Sequence, residues 1–446
     1  MSMEIMIVAG EASGDAHAAE LVVELRRRHP ELHFFGCGGA RLAGAGCELL
    51  VRAEELAVVG LFEVVAHLPR IHGLLRRLRQ ALRRRRPAAV ILVDFPDFNL
   101  RLAAAAHRGG VPVIYFISPQ LWAWRSGRVK IIQRTVRRMI CIFPFEAGFY
   151  AQHGVEVAAV GHPLVERIAT ARPHLPDGPA WRRELGVPAE STLIALLPGS
   201  RRREIAFHLP VMLEAARQLR LETAPGRELE FVIPVAPTLD AATMRAGIQS
   251  VMSGPPPPWL HLVSAERGYA AVANARLAIV ASGTATVETA LLGTPMVVIY
   301  RLSPWTYRIG RRWVKTPHYA MVNLIYDWRG DWRGPQRGHA AHPACAHAGP
   351  GTPVPRPDAA LSGERAVPEL IQDACNAGAI VHWAHRLLPD SPDNEARRQM
   401  IYALEQVRLK LGEPGAIARA ATAIEEALAP HFMPGPASAP TAKALT

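Results

Sequence analysis

The sequence has few cysteines and no long hydrophobic run. Its five cysteines, at positions 37, 47, 141, 345 and 375 of 446 residues, are odd in number and form no CxxC pair. A disulfide framework is therefore excluded, and a reducing compartment is predicted. No run of about 18 or more predominantly apolar residues occurs, so we expect no helix that spans a bilayer. The apolar run 5–8 follows the N-terminus without a basic stretch before it, which predicts no secretory signal.

Lysine is also scarce. Only Lys130, Lys315, Lys410 and Lys443 are lysines among the 51 basic residues, which outnumber the 39 acidic ones and give a net charge of +12. Such a bias toward arginine is more typical of genome composition than of a nucleic-acid surface, and no recognised nucleic-acid-binding module is present. We therefore expect no nucleic-acid partner, although the charge keeps that class open as an alternative. It also permits a phosphate, a nucleotide or an acidic membrane as partner.

Apolar runs without polar alternation divide the sequence into two similar halves. The first half has runs at 4–9, 33–36, 88–94, 112–117, 138–143 and 156–160, and the second at 192–197, 229–235, 259–263, 277–281 and 295–300. Strands that are covered on both faces have this pattern, and helical patterns separate them. The alternation predicts an α/β protein with two doubly wound, Rossmann-like domains that face each other across a cleft.

Changes in composition suggest the domain boundaries. We predict a first domain over 1–165, a Pro-rich linker over 166–189, a second domain over 190–326 and 363–393, C-terminal helices over 394–430, and a disordered tail over 431–446. Segment 327–362 is low in aliphatic residues and rich in Gly, Pro, His and Arg, which predicts a disordered insertion. His339, His342, Cys345 and His347 in this segment have metal-ligating side chains. A loop without a metal is the simpler interpretation, and we expect no metal site.

Two loops that follow strands in the first half carry candidate functional residues, because ligands of open α/β sheets bind beyond the carboxyl ends of the strands. The loop after the first run is AGEASGD, residues 9–15, with Glu11, Ser13 and Asp15. It is equally consistent with a tight turn between strand and helix. The loop DFPDFN, residues 94–99, presents carboxylates suited to removing a proton from a hydroxyl. The alternative is that Asp97 or Asn99 only caps the next helix.

Two further loops in the second half resemble phosphate sites. LPGSR, residues 197–201, combines Gly199, Ser200 and Arg201 with a helix N-terminus. ASGTATVE, residues 281–288, places Ser282, Gly283 and Thr284 at another helix N-terminus, with Glu288 one turn later. A carboxylate there can accept both hydroxyls of a ribose, or it can be a first-turn acid that only stabilises the helix. Together the two loops favour a site for a nucleoside diphosphate.

The motifs that are missing narrow the chemistry. There is no Gly-Lys-Ser/Thr of a P-loop and no GxGxxG, which argues against triphosphate hydrolysis and against a dinucleotide-dependent oxidoreductase. Arginine and helix N-termini can stabilise a leaving diphosphate without Mg²⁺. The pattern therefore predicts a sugar transferase with no cofactor, in which the second half binds the donor and the first half binds the acceptor.

Ordered motifs make this prediction specific. The chain contains VAGEASGD at 8–15, ELAVVG at 55–60, DFPDFN at 94–99, SPQLWAWR at 118–125, FPFE at 143–146, GHPL at 161–164, LPGSR at 197–201, ASGTATVE at 281–288 and VKTPHYAMVNLI at 314–325. Over residues 5 to about 326, and again over 363–372, it closely resembles the lipid-A-disaccharide synthases. That resemblance is interrupted by the 36 residues of segment 327–362, beside the expected donor pocket.

The resemblance implies a fold and a reaction. It implies an inverting glycosyltransferase of GT-B type that joins UDP-2,3-diacylglucosamine to 2,3-diacylglucosamine 1-phosphate and releases UDP. Asp97 becomes the candidate base for the acceptor 6-hydroxyl. Glu11, Ser13, Asp15 and Asn99 fall on the acceptor side, whereas Gly199, Ser200, Arg201, Ser282, Gly283, Thr284 and Glu288 fall on the donor side. Within transferases, the rival is a GT-B enzyme or an epimerase that acts on UDP-N-acetylglucosamine.

Acylated substrates imply contact with a membrane. Segment 58–86 places Val64, Val65, Leu68 and Ile71 at helical spacing beside many arginines, as expected for an anionic bilayer surface. For 72–86, a helix that packs on the sheet with a solvated basic face is an equal alternative. We therefore predict a cytoplasmic protein, peripheral on the inner membrane of a Gram-negative bacterium, with anionic lipids as partners. A homodimer is left open.

Overall fold

The computed structural model describes residues 3–56, 63–121, 126–223, 228–303, 318–328, 365–388 and 394–429. The chain divides into two compact units, and each is described by itself below. The first unit contains Met1–Pro163 and Gly415–Thr446, and the second contains Leu164–Pro414. Some predictions lie outside the described residues or their described side chains. They are those for Val64, Val65 and Leu68 and those for most of the insertion, including its candidate metal ligands.

The first unit contains a parallel sheet. Its strands among the described residues are β1 (Met3–Ala9), β2 (Leu32–Gly38), β3 (Glu48–Arg52), β4 (Ala89–Val93), β5 (Val113–Phe116), β6 (Arg138–Cys141) and β7 (Val157–Ala159). They lie in the order β3-β2-β1-β4-β5-β6-β7. The strand order reverses direction between β1 and β4, which is the position where open α/β sheets form a ligand crevice.

Helices cover this sheet. They are α1 (Ala12–Arg28), α2 (Ala40–Gly44), α3 (Glu63–Arg85), α4 (Pro96–Arg108), α5 (Val129–Thr135) and α6 (Pro144–Gln152). Residues Ile5–Ala9 of β1 and Ala89–Val93 of β4 are fully buried, which explains why these runs lack polar alternation. Strand β3 was not predicted, because its sequence ELLVR ends in charged residues and it lies at the sheet edge.

The second unit repeats this design. Its helices are α7 (Pro163–Ala171), which begins at the boundary, α8 (Gly178–Leu185), α9 (Arg202–Glu222), α10 (Ala241–Met252), α11 (Gly268–Ala273), α12 (Thr284–Leu292), α13 (Met321–Asp327), α14 (Ala377–Leu387) and α15 (Asn394–Lys410). Its described strands are β8 (Thr192–Leu197), β9 (Leu229–Pro234), β10 (Leu260–Val263), β11 (Leu277–Ala281), β12 (Met296–Tyr300) and β13 (Glu369–Ile371). These parallel strands lie in the order β10-β9-β8-β11-β12-β13, so the predicted doubly wound sheets are found in both units.

Two predicted segments have a different structure. Residues 166–189, predicted as a linker, contain most of α7 and all of α8, whose Trp181 is fully buried. One of the prolines that suggested a linker, Pro179, instead lies in the first turn of α8. The helices predicted over 394–430 are divided between the units, because α16 (Ala416–Ala427) packs on α1, β5 and β6 of the first unit.

Helix α3 is amphipathic, and its apolar side faces the protein. Leu74, Leu75, Leu78 and Leu82 are buried, and the helix packs against α4 and β3. Arginines in the same part of the helix, including Arg76, Arg77, Arg83 and Arg84, are exposed. For 72–86 the apolar stripe is therefore core. Within the described ranges, none of the helices combines the length and the apolar character needed to cross a bilayer.

A buried and a half-buried polar side chain connect the segments on either side of residues 329–364. Asn323 of α13 is fully buried. Its Oδ1 accepts hydrogen bonds from the backbone N–H groups of Ala366 (2.8 Å) and Val367 (3.0 Å), and its Nδ2 donates to the Val367 carbonyl (2.9 Å). The Glu369 carboxylate accepts from the N–H groups of Tyr319 (3.0 Å) and Ala320 (2.9 Å). The two ends of the insertion are thus attached to each other without it.

We expect the fold to tolerate loss of the insertion but not loss of this attachment. Asp327 ends α13, so the replacement should start after Trp328. Replacing 329–364, which contains the rest of the insertion, by a short Gly/Ser linker should leave the thermal unfolding midpoint nearly unchanged, because the contacts of Asn323 and Glu369 remain. Asn323→Ala should cost about 1–3 kcal/mol, because two buried N–H groups lose their acceptor. Differential scanning calorimetry of both variants tests this. A large loss of stability in the deletion with none in Asn323→Ala would contradict it.

Candidate active site

The loop after β1 is shaped by a close contact with the loop after β4. A Cβ atom on Gly10 would lie 2.4 Å from the Phe95 ring, so only glycine fits there. Glu11 is the N-cap residue of α1, and Ser13 is exposed in its first turn. Both predicted residues therefore lie at the carboxyl end of β1, and their assignment to the acceptor stays a prediction.

Asp15 has a different environment from Glu11 and Ser13. It is buried, and its carboxylate accepts hydrogen bonds from the backbone N–H groups of Gly39 (2.6 Å), Arg41 (3.1 Å) and Leu42 (3.3 Å). These groups lie at the start of α2, where a carboxylate satisfies N–H groups that have no partner within the helix. The contacts give Asp15 a structural role that the sequence did not predict.

The loop after β4 has an unusual backbone. Asp94 (φ 46°) and Phe95 (φ 48°) are both left-handed, a conformation that is costly for residues other than glycine. Two side chains support it: Asn99 Nδ2 (2.7 Å) and Tyr115 Oη (2.6 Å) both donate to the Asp94 carbonyl. Asn99 is fully buried and also donates to the Val93 carbonyl (3.2 Å).

These contacts decide between the two interpretations of the DFPDFN loop. The N-cap residue of α4 is Phe95, and it makes no side-chain cap hydrogen bond. Asn99 lies within α4, and its side chain hydrogen-bonds the backbone at the end of β4. Asp97 lies in the first turn of α4 with 65% of its side chain exposed, and its Oδ1 forms an ion pair with Arg128 Nη2 at 2.6 Å. Neither Asp97 nor Asn99 is the N-cap, and Asp97 presents an accessible carboxylate.

Two other motifs of the first unit are structural. Glu146 of FPFE is buried and accepts a hydrogen bond from the Phe143 N–H (3.2 Å) at the start of α6. His162 of GHPL is buried, with its ring centre 5.0 Å from that of Phe143. The motifs therefore fix α6 and the turn before α7.

The predicted phosphate loop of the second unit already holds a carboxylate. Gly199 is left-handed (φ 120°), and a Cβ atom there would lie 2.6 Å from Glu204 Oε2. That oxygen accepts hydrogen bonds from the N–H groups of Ser200 (2.9 Å) and Arg201 (3.3 Å). A diphosphate could use these N–H groups only if Glu204 moved. The Arg201 side chain, 66% exposed, is accessible without that change.

His208 joins this loop to the end of β12, and sequence reasoning did not identify it. The histidine is buried, its Nδ1 lies 3.0 Å from the Pro198 carbonyl, and its Nε2 accepts from the Arg301 N–H at 3.0 Å. This pattern requires the neutral ring with the proton on Nδ1. Burial lowers the pKa of His208 and so favours the same form. The one feature of the sequence that could have identified His208 is its position on α9, shortly after the LPGSR loop.

The loop after β11 contains the other predicted donor residues. Ser282 Oγ donates to the Tyr319 carbonyl (2.9 Å), Gly283 is the N-cap residue of α12, and Thr284 is exposed in its first turn. The Ser282 proton is thus used within the protein, and this hydroxyl can still accept. The β8 and β11 ends are neighbours in the sheet, so the two predicted donor loops lie at one edge.

Glu288 is set deeper in the same helix. Tyr269 Oη donates to Glu288 Oε1 at 3.3 Å. Burial raises the pKa of Glu288, and the positive charge of Arg167 opposes that shift. Burial, with Glu288 nearby, raises the pKa of Tyr269 to about 12, so the phenol remains a donor. A carboxylate held in this way can accept hydrogen bonds when ionised.

Among the described residues, no group of three or more His, Cys, Asp or Glu side chains is placed to hold a metal ion. The expectation that the reaction needs no metal stays a prediction.

The neutral form of His208 should appear in the pH dependence of stability. Its folded pKa is lowered from an unfolded value of about 6.5, so its contribution is complete above that value and is lost as pH falls below it. Urea unfolding of the wild type, His208→Gln and the exposed control His174→Gln should be compared from pH 7.5 to 5. His208→Gln should lose less stability on acidification than the other two. Parallel curves for all three proteins would contradict the assignment.

Comparisons with known proteins agree with this architecture. Residues 5–329 match the sequence profile of the lipid-A-disaccharide synthetase family. A lipid-A-disaccharide synthase from Myxococcus xanthus (strain DK1622) is 42% identical over 96% of this chain and 98% of its own. A putative UDP-N-acetylglucosamine 2-epimerase from Listeria monocytogenes superposes with a TM-score of 0.59 at 13% identity, over 97% of this chain and 98% of that one.

A second solved structure, described as the glycotransferase of kitacinnamycin, superposes with a TM-score of 0.56 at 15% identity and covers 96% of this chain and 100% of that one. At these sequence identities the two structures are evidence for the fold alone. They confirm the predicted class, two Rossmann-like domains of GT-B type.

Proposed function

This chain belongs to the lipid-A-disaccharide synthase family, and from that membership we propose which substrates it joins and which residues act on them. It is a glycosyltransferase of lipid A biosynthesis. We propose UDP-2,3-diacylglucosamine as its donor and 2,3-diacylglucosamine 1-phosphate as its acceptor. The observation that carries the proposal is the match over nearly the whole chain, which includes both strand-end loops of each unit.

The proposed reaction is a displacement at the anomeric carbon of the donor. The acceptor 6-hydroxyl oxygen forms the new bond to that carbon, while the bond from the carbon to the diphosphate oxygen breaks. Attack from the opposite face inverts the configuration and gives the β-1,6 disaccharide 1-phosphate with UDP. The hydroxyl proton passes to a carboxylate. Asp97 suits this role because it is exposed, lies at the ligand edge of the sheet and is oriented by Arg128.

The second unit supplies groups for the leaving UDP. In this proposal Arg201 and the Ser282–Thr284 loop bind the diphosphate, and Glu288 accepts the ribose hydroxyls. The exposed guanidinium of Arg201 and the hydroxyl of Thr284 support it. Positive charge and helix N-terminal N–H groups stabilise the charge that develops on the leaving group. We propose that no metal or other cofactor takes part.

Membrane association completes the proposal. The exposed arginines of α3 form a basic surface, which suits anionic lipid headgroups. The apolar side of its C-terminal part is used by the core, so contact with acyl chains would involve the segment before it, as predicted for Val64, Val65, Leu68 and Ile71. Ile71 is half-buried. We propose a protein peripheral on the cytoplasmic face of the inner membrane.

The direct test is turnover by the purified chain, with both proposed substrates and EDTA, followed as disaccharide formation and UDP release. Product in EDTA is the expected result. A deacylated acceptor used at a comparable rate, or epimerisation of UDP-N-acetylglucosamine without transfer, would instead favour the rival activities.

Asp97→Asn should remain folded and lose about 10²–10⁴-fold in turnover, the range for a general base. Asp94→Asn is the matched control, because asparagine tolerates the left-handed backbone and the change removes a carboxylate from the same loop. Steady-state kinetics with UDP release as the signal distinguish the two. A large loss in Asp94→Asn with near-normal turnover in Asp97→Asn would transfer the role to Asp94.

Binding of UDP should weaken on acidification, because Glu288 has a raised pKa and loses an acceptor oxygen when it takes up a proton. Isothermal titration calorimetry between pH 8 and 5 should show a weaker decline for Glu288→Gln than for the wild type. Arg201→Ala should lower affinity about tenfold at every pH, the value of one charge-assisted hydrogen bond. Identical pH profiles for the wild type and Glu288→Gln would remove Glu288 from the ribose site.

A further inference from the structure

A cavity of about 270 Å³ lies beside the Asp97 carboxylate, entirely within the first unit. Helix α4 contributes Asp97, Leu100 and Arg101 to its lining, and the segment that leads into α5, together with α5, contributes Arg128, Ile131 and Arg134. The opening is therefore next to the proposed catalytic base. Its lining is mixed, because α4 and α5 each contribute both apolar and charged side chains.

The charges of the lining are strongly unequal. Three guanidinium groups face one carboxylate. Arg128 is paired with Asp97, and within the described ranges neither Arg101 nor Arg134 forms an ion pair. A guanidinium has five N–H donors, so Arg128 can contact Asp97 and a second anion at the same time. The cavity therefore has donors for an anion with several oxygen acceptors.

The neighbouring helix adds to this positive field. Arg79 of α3 donates through Nη2 to the Arg101 carbonyl at 3.2 Å. Burial first, and then the charges of Arg108, Arg101 and Arg83, lower the pKa of Arg79. Burial is the larger cause of this shift, and the smaller one is the repulsion between Arg79 and the cations near it. An anion bound in the adjacent cavity would relieve part of this repulsion.

We propose that this cavity binds the phosphate of the phosphorylated sugar acceptor, with Arg101 and Arg134 as phosphate ligands and Arg128 shared between the phosphate and Asp97. The assignment rests on the proposed function. In the acceptor, the reactive hydroxymethyl group is attached to C5 and the phosphate to C1, the two carbons that flank the ring oxygen. A base for that hydroxyl and a site for that phosphate must therefore lie within the width of one sugar.

Arg128 couples binding of the phosphate to the position of the proposed base. It contacts the proposed base directly, so an acceptor phosphate that binds Arg128 also fixes the Asp97 side chain next to the hydroxyl that it deprotonates. Leu100 and Ile131 provide apolar contacts for the carbon face of the sugar. The three arginines are thus specificity and positioning residues rather than catalytic residues.

The experiment compares two acceptors that differ only in the phosphate. Steady-state kcat and KM are measured in neutral detergent for 2,3-diacylglucosamine 1-phosphate and for 2,3-diacylglucosamine, at saturating donor. The proteins are the full-length wild type, Arg101→Ala, Arg134→Ala and Lys130→Ala. Lys130 is the matched control, because it is an exposed cation of α5 that does not line the cavity. Arg101 and Arg134 are also exposed, so their variants should have wild-type unfolding curves.

We expect Arg101→Ala and Arg134→Ala each to raise KM for the phosphorylated acceptor about tenfold, the value of one charge-assisted hydrogen bond. Their kcat should change little, and the penalty should be several-fold smaller with the phosphate-free acceptor. Lys130→Ala should affect both acceptors equally and weakly. Equal penalties on the two acceptors in the arginine variants would overturn the assignment.

A second arm separates the substrate from the bilayer as the source of the phosphate ester. Co-sedimentation with phosphatidylglycerol vesicles, and with phosphatidylcholine vesicles as the neutral control, should be the same for Arg134→Ala and the wild type. Loss of phosphatidylglycerol binding, together with equal kinetic penalties, would assign the cavity to lipid headgroups and overturn the proposal.

A wild type that makes no disaccharide from the phosphorylated acceptor would overturn the proposed function and this inference together. A wild type that makes it, with equal penalties in the variants, would overturn the inference alone.

Discussion

Parallel pairing of buried strands is the constraint on which the rest of this protein depends. Crossover connections return the chain to the same end of each sheet, so the described strands pair in parallel and their carboxyl ends open at the same edge. The loops after β1 and β4, and those after β8 and β11, are thereby brought together in pairs at the points where strand order reverses. The residues proposed for the reaction come from distant parts of the sequence, and within each unit this topology places their loops side by side.

The loops themselves are held by buried polar side chains rather than by secondary structure. Asn99 and Tyr115 secure a left-handed turn after β4, His208 connects the loops after β8 and β12, and Asn323 connects two segments far apart in sequence. Each of these side chains hydrogen-bonds backbone groups next to or near a strand. An interior hydrogen bond is costly to lose, so these residues stabilise the backbone conformation of the loops that carry the candidate site residues.

Much of the fold was predictable from the sequence, since buried parallel strands are continuous apolar runs and most of them were located. The missed strands, β3 and β13, lie at sheet edges, where half-polar sequences suffice. The positions of the candidate loops were also predictable, because topology places them. The roles of individual side chains within the loops were less predictable from the sequence. Asp15 and Glu204 have the residue type expected of a ligand-binding acid, but backbone N–H groups close in space occupy them, and sequence spacing carries no information about that geometry.

The return of α16 to the first unit affects the order in which the protein is completed during synthesis. Domains near the N-terminus generally fold first as a chain emerges from the ribosome. Here, however, α16 packs on α1, β5 and β6, and Arg28 of α1 hydrogen-bonds Thr422 (2.9 Å) and Glu425 (3.0 Å) of α16. The first unit is therefore complete only after residues 416–427, which follow the second unit in the sequence, have been made. Until α16 emerges from the ribosome, the surface of α1 that it covers is open to water and to chaperones.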